Sequence, residues 1–140
     1  MNITTTKRER VDIGTDIVKM FYRHIDNSYT YYFDVQETEK EDPDMTDEET
    51  EEKKTVTVRQ AYSIPITGNL HLDNIKKEVM QYLWSTDEEN RLINLYNSGV
   101  NKLLGTTEEN TAAKNMYKTF LTERIDVLNK VEEDYKTGIV

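Results

Sequence analysis

Residues Tyr29–Gln36, YTYYFDVQ, decide how the chain is read. Tyr29, Tyr31, Phe33 and Val35 alternate with Thr30, Tyr32, Asp34 and Gln36. A period of two sends successive side chains to opposite faces of an extended strand, so this stretch presents four large apolar groups on one face. Just before it, IVKMFYRHI (residues 17–25) is rich in β-branched and aromatic residues and reads as a second strand. Asp26-Asn27-Ser28 separates the two and has hairpin-turn chemistry, because these side chains bond their own backbone and Asn tolerates a left-handed conformation. A third stretch, TVTVRQAYSIPI (residues 55–66), places Val56, Val58, Tyr62 and Ile64 on one face, with Gln60 interrupting the apolar row. Pro65 cannot donate to a ladder and marks a strand end or edge. The Thr-rich N-terminus offers a further strand, which makes three or four in the first 66 residues.

Beyond a turn at 67–71 the period changes to that of helices. Leu72, Ile75, Val79 and Leu83 form one stripe, flanked by Met80 and Trp84. Ser85 or Thr86 then caps a second helix, with Asp87, Glu88 and Glu89 in its first turn, where carboxylates meet the positive end of the helix dipole. Its stripe is Leu92, Leu95, Tyr96, Val100 and Leu103, with Gly99 inside and Gly105 placed as a stop. Thr106 or Thr107 caps a third helix, whose stripe is Ala113, Met116, Tyr117, Phe120, Leu121, Ile125, Leu128, Val131 and Tyr135. Gly138 and the last residues read as a frayed end. The expected fold is α+β: an antiparallel sheet of three to four strands followed by three helices. The 140 residues form one domain, β-rich over 1–66 and helical over 67–140.

The charge is unevenly placed. Residues 37–54, ETEKEDPDMTDEETEEKK, hold ten acids and three bases, so −7 of the formal −9 lies there and the body is nearly neutral. Composition predicts a solvated acidic insert joining two strands. Two functional readings stand beside that one: electrostatic steering toward a basic partner, and divalent-cation binding by Asp42, Asp44 and Asp47, which lacks the glycine and closing glutamate of a calcium loop.

Other chemistries are excluded or weak. The chain has no cysteine, which removes disulfides, thiolate nucleophiles and cysteine zinc sites. Five isolated glycines exclude phosphate-cradling loops. His24 and His71 lie in no nucleophile motif. The negative balance argues against gripping nucleic acid, and no apolar run approaches a membrane span. No cofactor or metal is expected. Lys7, Arg8 and Arg10 form a small basic cluster, read as a charged edge strand, a weak nucleic-acid patch or an arm toward a neighbouring subunit. Nine tyrosines and one tryptophan in a chain of 36% hydrophobic content suggest aromatic contact surfaces. The candidate interaction residues are Tyr29, Tyr31, Tyr32, Trp84 and Tyr117, with Asp47, Glu48, Glu49, Glu51 and Glu52 of the acidic segment.

The helical half, IKKEVMQYLWSTDEENRLINLYNSG followed by MYKTFLTERIDVL, with TVTVRQAYSIPI before it, resembles a module of small proteins from tailed phages and prophages of gut Bacteroidetes. The resemblance covers residues 55–135 and is one of helix caps and stripes. Members of the pattern have Tyr where Trp84 stands and a loop of different length near residue 105. It implies a non-enzymatic virion component of head, neck or tail, assembled in the host cytoplasm and bound to other protein subunits as a homo- or hetero-oligomer. The alternative is a phage-encoded acidic inhibitor that mimics nucleic acid and binds a basic host protein.

Overall fold

The computed structural model describes residues 1–17, 19–46 and 53–138, and side chains over the same residues except from 41 to 54. Among these residues four strands, β1 (Val11–Ile13), β2 (Phe21–Arg23), β3 (Tyr29–Thr46) and β4 (Lys53–Ile66), precede three helices, α1 (Leu72–Leu83), α2 (Thr86–Val100) and α3 (Thr107–Gly138). The strands form one antiparallel sheet in the order β1-β4-β3-β2. The α+β architecture read from the sequence is the observed one.

The hairpin between β2 and β3 closes as its residues dictate. Asn27 takes a left-handed φ of 66°, the Asp26 carboxylate accepts from the Ser28 amide and hydroxyl, and the His24 amide donates to the Ser28 carbonyl. The strand read over residues 17–25 is only three residues long, because the chain before Phe21 is a connection. β1 and β2 lie at opposite edges of the sheet, so residues 14–20 must cross it. The Arg59 guanidinium donates to the Ile17 carbonyl from the face opposite the core, which fixes the crossing on the outer face. Ala61, on that same face, is completely buried.

The inner face carries Phe21, Tyr31, Phe33, Tyr62, Ile64 and Ile66, packed with Ile75, Val79 and Leu83 of α1 and Phe120, Val127 and Val131 of α3. α2 lies against α3. The close approach requires Gly99, where a Cβ would stand 2.6 Å from the Asn110 carbonyl oxygen. The caps are those read from the sequence: the Glu88 amide donates to Ser85 Oγ and the Glu109 amide to Thr106 Oγ1.

Five readings are corrected. The apolar row of β3 does not continue to Val35, which is exposed. Asp34 takes φ 54° in a bulge where Asp34 and Val35 stand opposite the single residue between Gln60 and Tyr62. The stripe of α3 is displaced: Met116, Leu121 and Ile125 are exposed, while Glu123, Val127 and Asp134 are buried. Val100 and Leu103 are exposed as well. The Gly138 end is not frayed but helical, its Cα seated so that an added Cβ would lie 3.1 Å from Met20 and 3.2 Å from Phe21. The acidic segment is not a loop over its whole length. Residues 37–46 continue β3 and 53–54 open β4, with Glu37 opposite Arg59, Glu39 opposite Thr57 and Thr46 opposite Lys53. Composition misreads it because backbone ladder bonds need no apolar side chain once the two strands are already aligned by the core.

Candidate interaction site

The ladder of β3 and β4 outruns the rest of the sheet. Among the described residues the register of β2 on β3 covers Tyr29–Tyr31 and that of β1 on β4 covers Arg59–Ala61. From the Thr38–Val58 pair outward, among the described residues, two strands continue alone. At about 3.3 Å per residue this arm reaches roughly 25 Å to Thr46. The alternation that faces the core at Tyr62 and Ile64 continues along the arm as Gln60, Val58 and Val56, joined across the ladder by Gln36, Thr38 and Lys40. Val56, Val58 and Thr38 are half-buried. Glu37, Glu39, Thr55 and Thr57 are exposed on the other face. The base of the arm is tied to the sheet by Lys40, 2.9 Å from Asp12, which also accepts from Gln60 at 2.8 Å. These two bonds hold the Asp12 carboxyl below its ordinary range, Gln60 contributing most.

The candidate aromatic residues fall into different environments. Tyr29 is half-buried and lines a cleft beside β2. Tyr32 is half-buried on the outer face, edge-to-face with Tyr22 at 5.7 Å. Tyr117 lies between Tyr96 and Phe120, with ring centroids 5.1 and 6.0 Å away. Tyr31 and Trp84 belong to the core and not to a contact surface. Tyr31 donates from its hydroxyl to the buried Asp134 carboxylate, and burial with that neighbouring charge pushes its phenol far above the ordinary value. Trp84 donates from Nε1 to Thr5 Oγ1 and packs edge-to-face on Phe120. Large aromatics with a polar handle suit a core that can satisfy the handle, and a sequence does not show that the partners are an aspartate 103 residues away and a threonine 79 residues away. Asp47, Glu48, Glu49, Glu51 and Glu52 lie outside the described residues, as do the side chains of Asp42 and Asp44.

The basic N-terminal cluster is spent within the chain. Lys7 pairs with Glu88 at 2.6 Å. Arg8 donates to the Tyr82 carbonyl and stacks over its ring at 4.5 Å. Arg10 pairs with Asp34 and stacks over Tyr62 at 4.8 Å. Residues 4–6 form a strap that sequence reading missed. Glu123 accepts from the amides and hydroxyls of both Thr4 and Thr5, and Thr6 donates to the Leu83 carbonyl. Burial raises the Glu123 carboxyl, but the four donors together outweigh it and hold the group below its ordinary range.

His24 is exposed, with Nε2 at 2.6 Å from Thr30 Oγ1, and His71 is exposed at the start of α1. Among the described residues no group of three or more metal-ligating side chains converges, and no helix is long and apolar enough to cross a membrane. Comparison with family models, with curated proteins and with solved structures returns no match.

Proposed function

We propose that this chain is a non-enzymatic assembly protein, a component of a tailed-phage virion, that binds other protein subunits through the β3–β4 arm. The observation that carries this reading is the arm itself. A two-stranded ribbon is marginally stable in water unless a third strand or a packed layer supports it. Here the ribbon continues past the sheet with half-buried valines on one face and, among the described residues, no further strand on either edge. Unpaired edges are templates for strand addition. The virion setting is supported by the resemblance of the helical half to small phage and prophage proteins.

The acidic-inhibitor reading gains one observation. Glu37 and Glu39 are exposed at alternate positions of a regular strand, which gives carboxylates a repeated spacing. If that is their role, neutralising them abolishes binding to a basic host protein and leaves particle association intact.

The test is incorporation. The protein is expected in density-purified phage particles, and a variant with Glu41–Thr55 replaced by Asn-Gly is expected to fold yet be absent from them. A chain that stays monomeric and is missing from particles overturns the proposal.

A further inference from the structure

The sheet is open at β2 in a way that can be read from its hydrogen bonds. Among the described residues β2 is an edge strand with β3 as its one sheet neighbour. The Tyr32 amide donates to the Met20 carbonyl, and the His24 amide to the Ser28 carbonyl, each at 2.8 Å. Antiparallel strands alternate between residues bonded to the neighbour and residues facing away. Met20, Tyr22 and His24 therefore face β3, and the backbone groups of Phe21 and Arg23 face outward. Along this edge runs a cleft of about 780 Å³, whose lining includes Met20, Phe21, Tyr29 and Leu70 as its apolar part, with Lys19 and Arg23. Lys7, Arg10, Lys40, Lys76, Arg91 and Lys130 each have a carboxylate partner. Among the described residues Lys19 and Arg23 have none, as is true also of Lys77, Lys102, Lys114, Lys118 and Arg124; what sets these two apart is that they line the cleft, where Arg23 donates to the Asn27 side-chain oxygen. Among the described residues the cleft thus combines an unpaired strand edge, an apolar floor and positive charge without a carboxylate partner. It fits an extended strand bearing carboxylates.

The chain carries such a strand. Glu37 and Glu39 are exposed on β3, beyond the point where β2 pairs with it, and the segment they open holds most of the net negative charge. The arm cannot fill the cleft of its own chain: β2 pairs at the beginning of β3, and the arm leaves from the other end of the same strand. We propose that the arm of one copy docks on the β2 edge of a second copy as an added strand, with Glu37 and Glu39 meeting Lys19 and Arg23. This inference rests on the reading of the arm as a docking element and names its partner. Donor and acceptor surfaces differ, so the contact runs head to tail and closes into a ring or continues as a filament. Arm-to-arm pairing is disfavoured, since it would set two strongly acidic segments side by side.

Sedimentation velocity on the full chain tests this. The wild-type mass is expected to grow with protein concentration and to fall back when salt screens the contact. Lys19→Glu with Arg23→Glu blocks the acceptor, and Glu37→Lys with Glu39→Lys blocks the donor. Each double variant is expected to weaken association at least about tenfold. Mixing the two restores it, because opposite charges meet again at every junction. Circular dichroism establishes that both variants are folded; if either is not, the alanine version of the same positions replaces it and is judged on weakened association alone, without the mixture. A wild-type chain that is monomeric throughout, or a mixture that fails to reassociate, overturns the inference. Association that needs the arm but ignores Lys19 and Arg23 also overturns it, while leaving the arm's role in assembly standing.

Discussion

The Tyr31 hydroxyl donates to the Asp134 carboxylate across 103 residues of chain, bonding the core of the sheet to the last turns of the long helix. Lys130, one turn earlier on α3, approaches the same carboxylate at 3.3 Å. Tyr31→Phe keeps the ring and its stacking on Phe21 at 4.3 Å but removes one partner of a buried carboxylate. The expected cost is about 1–3 kcal/mol in urea unfolding. Tyr31→Phe combined with Asp134→Leu should cost less than the sum of the single changes, because no buried charge is then left without its donor.

Glu123 gives a pH dependence of definite sign. Its folded pKa is lowered from the ordinary 4.5. The stabilisation is therefore complete above that value and is lost as pH falls through the folded pKa. The Thr4 and Thr5 amide resonances are expected to shift together with a midpoint below 4.5. Glu123→Gln should remove the titration and cost about 1–3 kcal/mol, since an amide nitrogen cannot accept from the threonines. A midpoint above the ordinary value would contradict the four-donor geometry.

Gly99→Ala sets two effects against each other. Helix propensity favours Ala by about 1 kcal/mol. The added Cβ meets the Asn110 backbone oxygen at 2.6 Å, and a backbone atom can move only if α2 and α3 separate. Overpacking of this kind costs about 1–3 kcal/mol, so the variant should melt below wild type. A higher melting temperature would show that the two helices have room to part.

Asp34 combines a left-handed φ of 54° with an ion pair to Arg10. Asp34→Asn tolerates the backbone and removes the charge alone. It should destabilise by up to about 3 kcal/mol, the lower end for breaking a buried pair. Asp34→Ala loses the pair and also strains the backbone, and it should be worse in the same denaturation assay. Equal costs would mean that the bulge relaxes without strain.

Much of this fold is legible in the sequence because its signals are local. The alternation of Tyr29, Tyr31 and Phe33, the Asp26-Asn27-Ser28 turn, the Ser85 and Thr106 caps and the stripe of α1 each depend on residues a few positions apart. What was not legible depends on partners far along the chain. Glu123 and Asp134 look like solvent-facing charges on a helix until Thr4, Thr5 and Tyr31 are brought to them, and this rotates the buried face of α3 away from Met116, Leu121 and Ile125. The arm was hidden for a different reason: the composition of residues 37–46 describes how they meet water, while their conformation is set by the ladder partners 55–60. Lys19 and Arg23 carry no motif, and only the strand order places them beside an open edge.

The strap has a consequence for the order of events during synthesis. Thr4 is made 119 residues before its acceptor, Glu123. At about 5–20 residues per second the ribosome takes roughly 6–24 s to cover that distance. Throughout that interval Thr4 and Thr5 have no carboxylate to bind, so the Thr5 hydroxyl that accepts from the Trp84 indole in the folded chain is not yet fixed in place. Residues 4 and 5 thus emerge well before they can dock, so their docking reports that α3 has formed at least as far as Glu123.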